Sequence, residues 1–128
     1  MDRPYRLEER TQLYAQNVIL FLRACPRDIV NTELSRQAIR AAGSVGANYI
    51  EANECLGEKD RIMRLRLCRK EIKESRYWLQ LFEIEDKPTD EKRSRLIIES
   101  TELLKIFNSI ISKLASKSPE KDSSLKPI

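Results

Sequence analysis

The chain has 128 residues, of which 41% are hydrophobic and 34% are charged, with a formal net charge of +4 at pH 7. This length corresponds to one domain that can bury a core without disulfides or metals, and the presence of only 3 glycines and 5 prolines favours a helical fold. The absence of histidine excludes Ser-His-Asp and Cys-His catalysis, histidine-ligated zinc and the Glu-x-x-His motif of di-iron bundles.

Cysteine spacing and hydropathy exclude further classes. Cys25, Cys55 and Cys68 are an odd set without Cys-x-x-Cys spacing, which predicts free thiols rather than disulfides or a zinc site. The longest strongly apolar run, residues 18–22, is far below the roughly 18 residues of a spanning helix. No signal-peptide pattern opens the chain. We therefore expect a cytoplasmic protein with no membrane contact, no metal and no cofactor.

The first two predicted helices carry apolar residues at three- and four-residue steps, the period of a helix with one buried face. The first ends at Pro26, and its stripe is Leu7, Thr11, Tyr14, Val18, Phe21, Leu22 and Cys25. The second begins at an N-cap formed by Asn31 or Thr32 and ends at Gly57. Its stripe is Leu34, Ala38, Ala41, Val45, Tyr49, Ala52 and Leu56.

The third predicted helix covers about residues 58–84, and the fourth follows a break at Pro88 with Thr89 as its cap. Their inner stripes are Leu65, Cys68, Ile72, Ser75, Leu79 and Phe82 in the third, and Leu96, Leu103, Phe107, Ile110 and Leu114 in the fourth. Residues 116–128 are polar, contain two prolines and lack periodicity. They predict a disordered tail after one domain of residues 1–115.

Four helices of similar length with short connectors predict an all-α fold, an antiparallel up-down-up-down four-helix bundle; the alternative is a more open helical array. Second apolar lines run along the last two helices: Met63, Leu67, Trp78 and Leu81, and then Ile97, Leu104 and Ile111. Two interpretations of these lines stay open. They form an interface between subunits, or they only widen the core face.

The third helix also carries a basic face. Between residues 59 and 76 there are eight basic residues against three acidic ones. Six of them fall within an arc of roughly 120°: Lys59, Arg66, Arg69, Lys70, Lys73 and Arg76. Such a face attracts phosphates, so it predicts binding of RNA or DNA through the backbone; no sequence-reading motif or exposed aromatic platform is predicted. The alternative is a solvated face whose charges pair with Glu71, Glu74 and neighbouring acids.

The segment SVGANYIEANE, residues 44–54, places small residues, an amide and carboxylates on the second helix. Small residues at helical spacing let a neighbouring backbone approach, so we interpret this segment as a packing seam, not an active site. The seam residues are Ser44, Gly46, Ala47 and Asn48. We expect the Asn48 amide to be buried and bonded to Ser44 or to the third helix, and Glu51 and Glu54 to pair with arginines of that helix.

The segments RQAIRAAGSVGANYIEANE and RLCRKEIKESRYWLQLFE carry a resemblance to a known family. The Ser-Val-Gly-Ala-Asn core at residues 44–48 and the block of Glu71, Glu74, Trp78 and Leu79 resemble the small bundle proteins encoded in intervening sequences of bacterial 23S rRNA genes. The second helix ends as IEANECLG, where many members have a Glu-Gly turn, and the opening of the third helix is more Arg-rich than usual.

The resemblance implies a four-helix bundle that assembles into a ring, typically a pentamer. It also implies kinship with the accessory variability proteins of diversity-generating retroelements, which bind nucleic acid and a reverse transcriptase. The family has no defined biochemical role. We therefore expect a non-enzymatic oligomeric scaffold that engages nucleic acid or a protein that handles it. The alternatives are a protein–protein adaptor or antitoxin-like module and, least favoured, a carboxylate enzyme.

Overall fold

The computed structural model describes residues 6–117, which form four α-helices: α1 (Leu7–Ala24), α2 (Ile29–Glu54), α3 (Glu58–Leu81) and α4 (Lys87–Lys117). Each helix packs against the next one in sequence, and α4 closes the bundle by packing on α1. The predicted all-α, up-down-up-down bundle is confirmed. The α2–α3 contact is the most extensive of the four and the α1–α4 contact the least.

The starts of α2 and α4 are set by aspartates that precede the predicted caps. Asp28 accepts a hydrogen bond from the Asn31 amide at 2.7 Å, so it caps α2, and the prediction of Asn31 or Thr32 as the cap is wrong. Asp86 accepts one from the Thr89 amide at 3.0 Å and caps α4, so Thr89 lies inside the first turn. In both cases the cap binds the N3 amide, and sequence alone offered several capping residues within a few positions.

The connection between α2 and α3 also differs from the prediction. Cys55 ends α2 in an extended conformation, and Gly57, predicted as the end of α2, is instead the N-cap of α3. Leu56, predicted to lie in the core, is fully exposed because it lies in this connection beyond the last helical turn. At the other end of the chain, α4 continues to Lys117, and residues 118–128 of the predicted tail lie outside the described residues.

The core contains most of the predicted stripes and three contacts that join helices across it. Every predicted stripe residue of α3 is buried. Phe21 meets Phe82 edge to face at 5.2 Å between ring centroids, and Tyr49 meets Phe107 in the same way at 5.8 Å. The Tyr14 hydroxyl is 2.7 Å from Ser75 Oγ. Burial raises the pKa of Tyr14 to about 12.

Candidate nucleic-acid interface

The predicted basic face of α3 divides into an exposed part and a part tied to α4. Lys59, Arg66, Lys70 and Lys73 are exposed. By contrast, Arg69 donates to Asn108 Oδ1 at 3.1 Å and Arg76 donates to Thr101 Oγ1 at 3.1 Å, and both arginines are half-buried against α4. The structure therefore leaves four of the six predicted cations on the outer surface of α3, which we call the outer α3 face.

Two acidic residues of α3, Glu71 and Glu74, point toward Arg40 of α2. Glu74 is 3.4 Å from Nη2 of Arg40, and Glu71 is 3.9 Å from Nη1 of the same guanidinium. Glu71 is only 8% exposed, and its burial, together with the charge of Glu74, raises its pKa. Within residues 6–117, no ion pair joins Glu71 or Glu74 to Lys70 or Lys73. The two carboxylates therefore pair with Arg40 and not with the lysines of the outer α3 face, although the charge of Lys70 still lowers the pKa of Glu71.

An exposed aromatic ring lies on the same surface. Tyr77 is 54% exposed and follows Lys70 by two helical turns and Lys73 by one. Its ring contacts Trp78 at 5.1 Å between centroids, with 65° between the planes. No exposed aromatic platform was predicted from the sequence, and Tyr77 is a single exposed ring. The position of Tyr77 on the same face as Lys70 could be predicted from the sequence, because residues 63, 70 and 77 are spaced by heptads and share one side of a helix.

The predicted packing seam is centred on Gly46. A Cβ atom on Gly46 would lie 3.1 Å from Thr11 Oγ1, so α1 crosses α2 at this position. Gly43 has nothing within 4 Å of such an atom, and Ala47 is exposed, so the assignment of Ala47 to a packed seam is wrong. Ala47 faces outward because it lies one residue beyond the stripe that contacts α1. Ser44 is half-buried and donates to the Arg40 carbonyl at 2.8 Å.

Asn48 connects α2 to α3. Its amide donates to the Ser44 carbonyl at 2.9 Å, and its side-chain oxygen accepts from Arg64 at 3.2 Å. The group is half-buried rather than buried. Arg61 donates to the Ala52 and Cys55 carbonyls at the end of α2. Arg61 also pairs with Glu58 of its own helix at 2.9 Å. Among residues 6–117, no ion pair joins Glu51 or Glu54 to an arginine of α3, so that predicted pairing is wrong.

The residues predicted as an interface between subunits do not form one surface. Ile111 is 5% exposed and belongs to the core, so its assignment to an interface is wrong. Leu67 and Ile97 are half-buried, and Trp78 and Leu104 pack against the core, as expected of residues that widen the core face. Met63 and Leu81 are exposed, and they lie beside Lys70 and Tyr77 on the outer α3 face.

Exposed apolar side chains that the sequence reasoning did not select lie on α1 and α2. They include Leu13, Leu20, Ile39 and Ile50, each between 45% and 57% exposed. Ile50 borders a groove of about 570 Å³ between these helices, together with Ala15, Gly43 and Ala47. Their signal in the sequence was weak, because each lies outside the regular stripe of its helix.

Two of the three cysteines, Cys25 and Cys68, are buried free thiols. Burial raises the pKa of the Cys25 thiol to about 11 and that of Cys68 to about 12, so both are poor nucleophiles near neutral pH. Over residues 6–117, no group of three or more cysteines, aspartates and glutamates is arranged to hold a metal ion. In the same range, no helix is both long and apolar enough to cross a membrane.

The chain is similar to a known protein family and to a solved structure. The family described as 23S rRNA-intervening sequence protein matches residues 6–109. The chain belongs to this family. A member of known structure from Bacteroides thetaiotaomicron, described as a protein of unknown function from the S23 ribosomal protein family, is 27% identical, with a TM-score of 0.68. The match covers 81% of this chain and 96% of that one. No curated protein matches the chain.

Membership in the 23S rRNA-intervening sequence family agrees with the resemblance found in the sequence, including the residues that carry it. Gly46 and Asn48, from the Ser-Val-Gly-Ala-Asn core, contact Thr11 and Arg64, so this core joins α2 to α1 and α3. Trp78 and Leu79 pack in the bundle at the other end of α3. The residues that identify the family are thus residues that hold the bundle together.

Proposed function

We propose that this member of the 23S rRNA-intervening sequence family is a non-enzymatic, cytoplasmic scaffold that forms a ring of subunits, five by the family resemblance, and binds RNA or DNA without sequence preference. The observation that carries this proposal is the outer α3 face. Lys59, Arg66, Lys70 and Lys73 are exposed there, while Glu71 and Glu74 turn toward Arg40. Repetition of the face around a ring would multiply its positive potential.

The arrangement favours phosphate contacts over base reading. The four cations lie along a convex helix surface, where flexible side chains can reach a phosphate backbone. A helix that reads base edges inserts side chains into the major groove and uses bidentate donors there. Three of the four cations on the outer α3 face are lysines, which bind phosphates as point charges. For about three phosphate contacts per subunit, from Arg66, Lys70 and Lys73, the logarithm of the affinity for duplex DNA should fall with the logarithm of salt with a slope of about −3.

Subunit contacts are proposed to use α1 and α2, which leaves the outer α3 face open. Ile39 and Ile50 are about half exposed on α2, and Ile50 borders a groove between α1 and α2. Replacement of both by aspartate should dissociate the oligomer, because burial of unpaired charges opposes assembly. Light scattering coupled to size exclusion measures the subunit number. A wild-type monomer that has no affinity for duplex DNA or RNA at low salt would contradict both parts of the proposal.

A second candidate function is a protein–protein adaptor or antitoxin-like module, with a reverse transcriptase as one proposed partner. The exposed Leu13 and Leu20 on α1 favour it, because apolar side chains grouped on one surface are typical of protein interfaces. Affinity capture with nuclease treatment and high salt separates the two candidates. A protein partner retained under both treatments favours the adaptor, since phosphate-driven complexes weaken steeply as salt rises.

A further inference from the structure

We infer that the outer α3 face binds an unpaired strand of nucleic acid, with one base stacked on Tyr77. This inference rests on the proposed nucleic-acid binding and specifies the form of its ligand. Tyr77 is 54% exposed, although burial of an aromatic ring lowers the free energy of a protein or complex. It lies one turn beyond Lys73 and two turns beyond Lys70 along the same side of α3.

The position of the ring selects an unpaired strand over a duplex. In a duplex, base faces are stacked inside the helix and cannot reach a side chain on a convex protein surface. In a single strand, a base can turn out and stack on an aromatic ring while neighbouring phosphates contact lysines. Lys73 and Lys70 lie one and two turns from Tyr77, so they can contact the phosphates next to a base that stacks on the ring.

Charges at the ends of α3 define where such a strand can lie. Beyond Tyr77, a cavity at the end of the bundle is lined by Asp28, Glu83, Glu85 and Asp86, together with Leu81. These carboxylates repel phosphates, so the strand should extend from Tyr77 in the other direction, along Lys73, Lys70 and Arg66. Glu74, which follows Lys73 in the sequence, is held toward α2 by Arg40 at 3.4 Å.

The neighbouring tryptophan provides a direct readout. Trp78 is the only tryptophan of the chain, and its ring contacts that of Tyr77. A base stacked on Tyr77 should change Trp78 emission, whereas a duplex held only through phosphates should not. Because Tyr77 is exposed, its replacement by alanine should leave the fold intact, which circular dichroism verifies.

The experiment compares the wild type, Tyr77→Ala and Tyr77→Phe for binding to a labelled oligothymidine and to a duplex of the same strand length. We expect Tyr77→Ala to weaken oligothymidine binding about tenfold and to leave duplex binding unchanged, with Tyr77→Phe close to the wild type. Equal effects of Tyr77→Ala on both probes, or no effect on either, would overturn stacking while the proposed function stands. Failure of the wild type to bind either probe at low salt would reject the proposed function and stacking together.

Discussion

Gly46 and Thr11 meet where α1 crosses α2, at a distance that leaves little room for a methyl group: a Cβ on Gly46 would lie 3.1 Å from Thr11 Oγ1. Thr11 is 1% exposed and its hydroxyl donates to the Leu7 carbonyl at 2.7 Å, so its side chain cannot turn away without loss of that bond. This contact explains why a residue that disfavours helix occurs in the middle of α2.

The two glycines of α2 should respond differently to alanine. Gly43→Ala meets open space and should stabilise the protein by up to about 1 kcal/mol through helix propensity. Gly46→Ala gains the same propensity but presses on Thr11, so we expect it to be less stable than Gly43→Ala by about 1 kcal/mol or more. Urea unfolding of both variants measures the difference. Equal stabilisation by the two substitutions would show that α1 and α2 are not in close contact at Gly46.

Tyr14→Phe should destabilise the bundle by about 1 kcal/mol, because it removes a buried hydrogen bond between α1 and α3. Ser75 keeps its bond to the Ile72 carbonyl at 2.9 Å, so no buried donor is left unpaired. Tyr77→Phe is the matched control, since its ring is 54% exposed and loses no buried bond. Equal unfolding free energies for the two variants would argue against the buried bond.

Ionisation of Tyr14 should lower the stability of the protein in alkali. Burial raises the pKa of Tyr14 from 10.0 to about 12, so the unfolded state loses this proton first. The contribution of Tyr14 to stability is therefore complete below pH 10 and falls as the pH rises from about 10 to 12. Unfolding of Tyr14→Phe over this range should show a smaller decline than that of the wild type. An identical decline would assign the effect to other groups.

Glu71→Gln should stabilise the protein at neutral pH. Burial and the nearby Glu74 raise the pKa of Glu71 above its ordinary 4.5, so the folded state holds the proton more tightly than the unfolded state. Its contribution is favourable below that pKa and is lost as the pH rises through the raised value. The advantage of the glutamine variant should therefore vanish in acid. Denaturant unfolding at neutral and acidic pH measures it, and Glu51→Gln, at an exposed position on α2, is the control.

The sequence predicted the helices and the core better than their ends and surfaces. Stripes at helical spacing found the buried residues of α3, because burial repeats with the helical period. The caps were misplaced because Asp28 and Asp86 accept hydrogen bonds from the backbone amides of Asn31 and Thr89, so each helix begins before the residue predicted to cap it.

The candidate site was predicted only in part because helix angles do not reveal which neighbour a long side chain reaches. Arg69 and Arg76 lie on the predicted basic arc, yet they bond to α4. Glu71 and Glu74 were considered as partners of the basic residues, and they turn to Arg40 instead. Those choices depend on the positions of α2 and α4, which the pattern of one helix cannot specify.

Charge reversal tests the central claim most directly. The variant Lys70→Glu with Lys73→Glu changes the outer α3 face, and Arg23→Glu with Lys113→Glu changes net charge equally on exposed residues of α1 and α4. The measurement is the affinity of each full-length variant for a labelled duplex over a salt series. We predict that the first variant loses affinity at low salt and shows a shallower salt dependence, while the second binds like the wild type. An equal loss of affinity in both variants would show that binding depends only on net charge and would contradict a specific interface on α3.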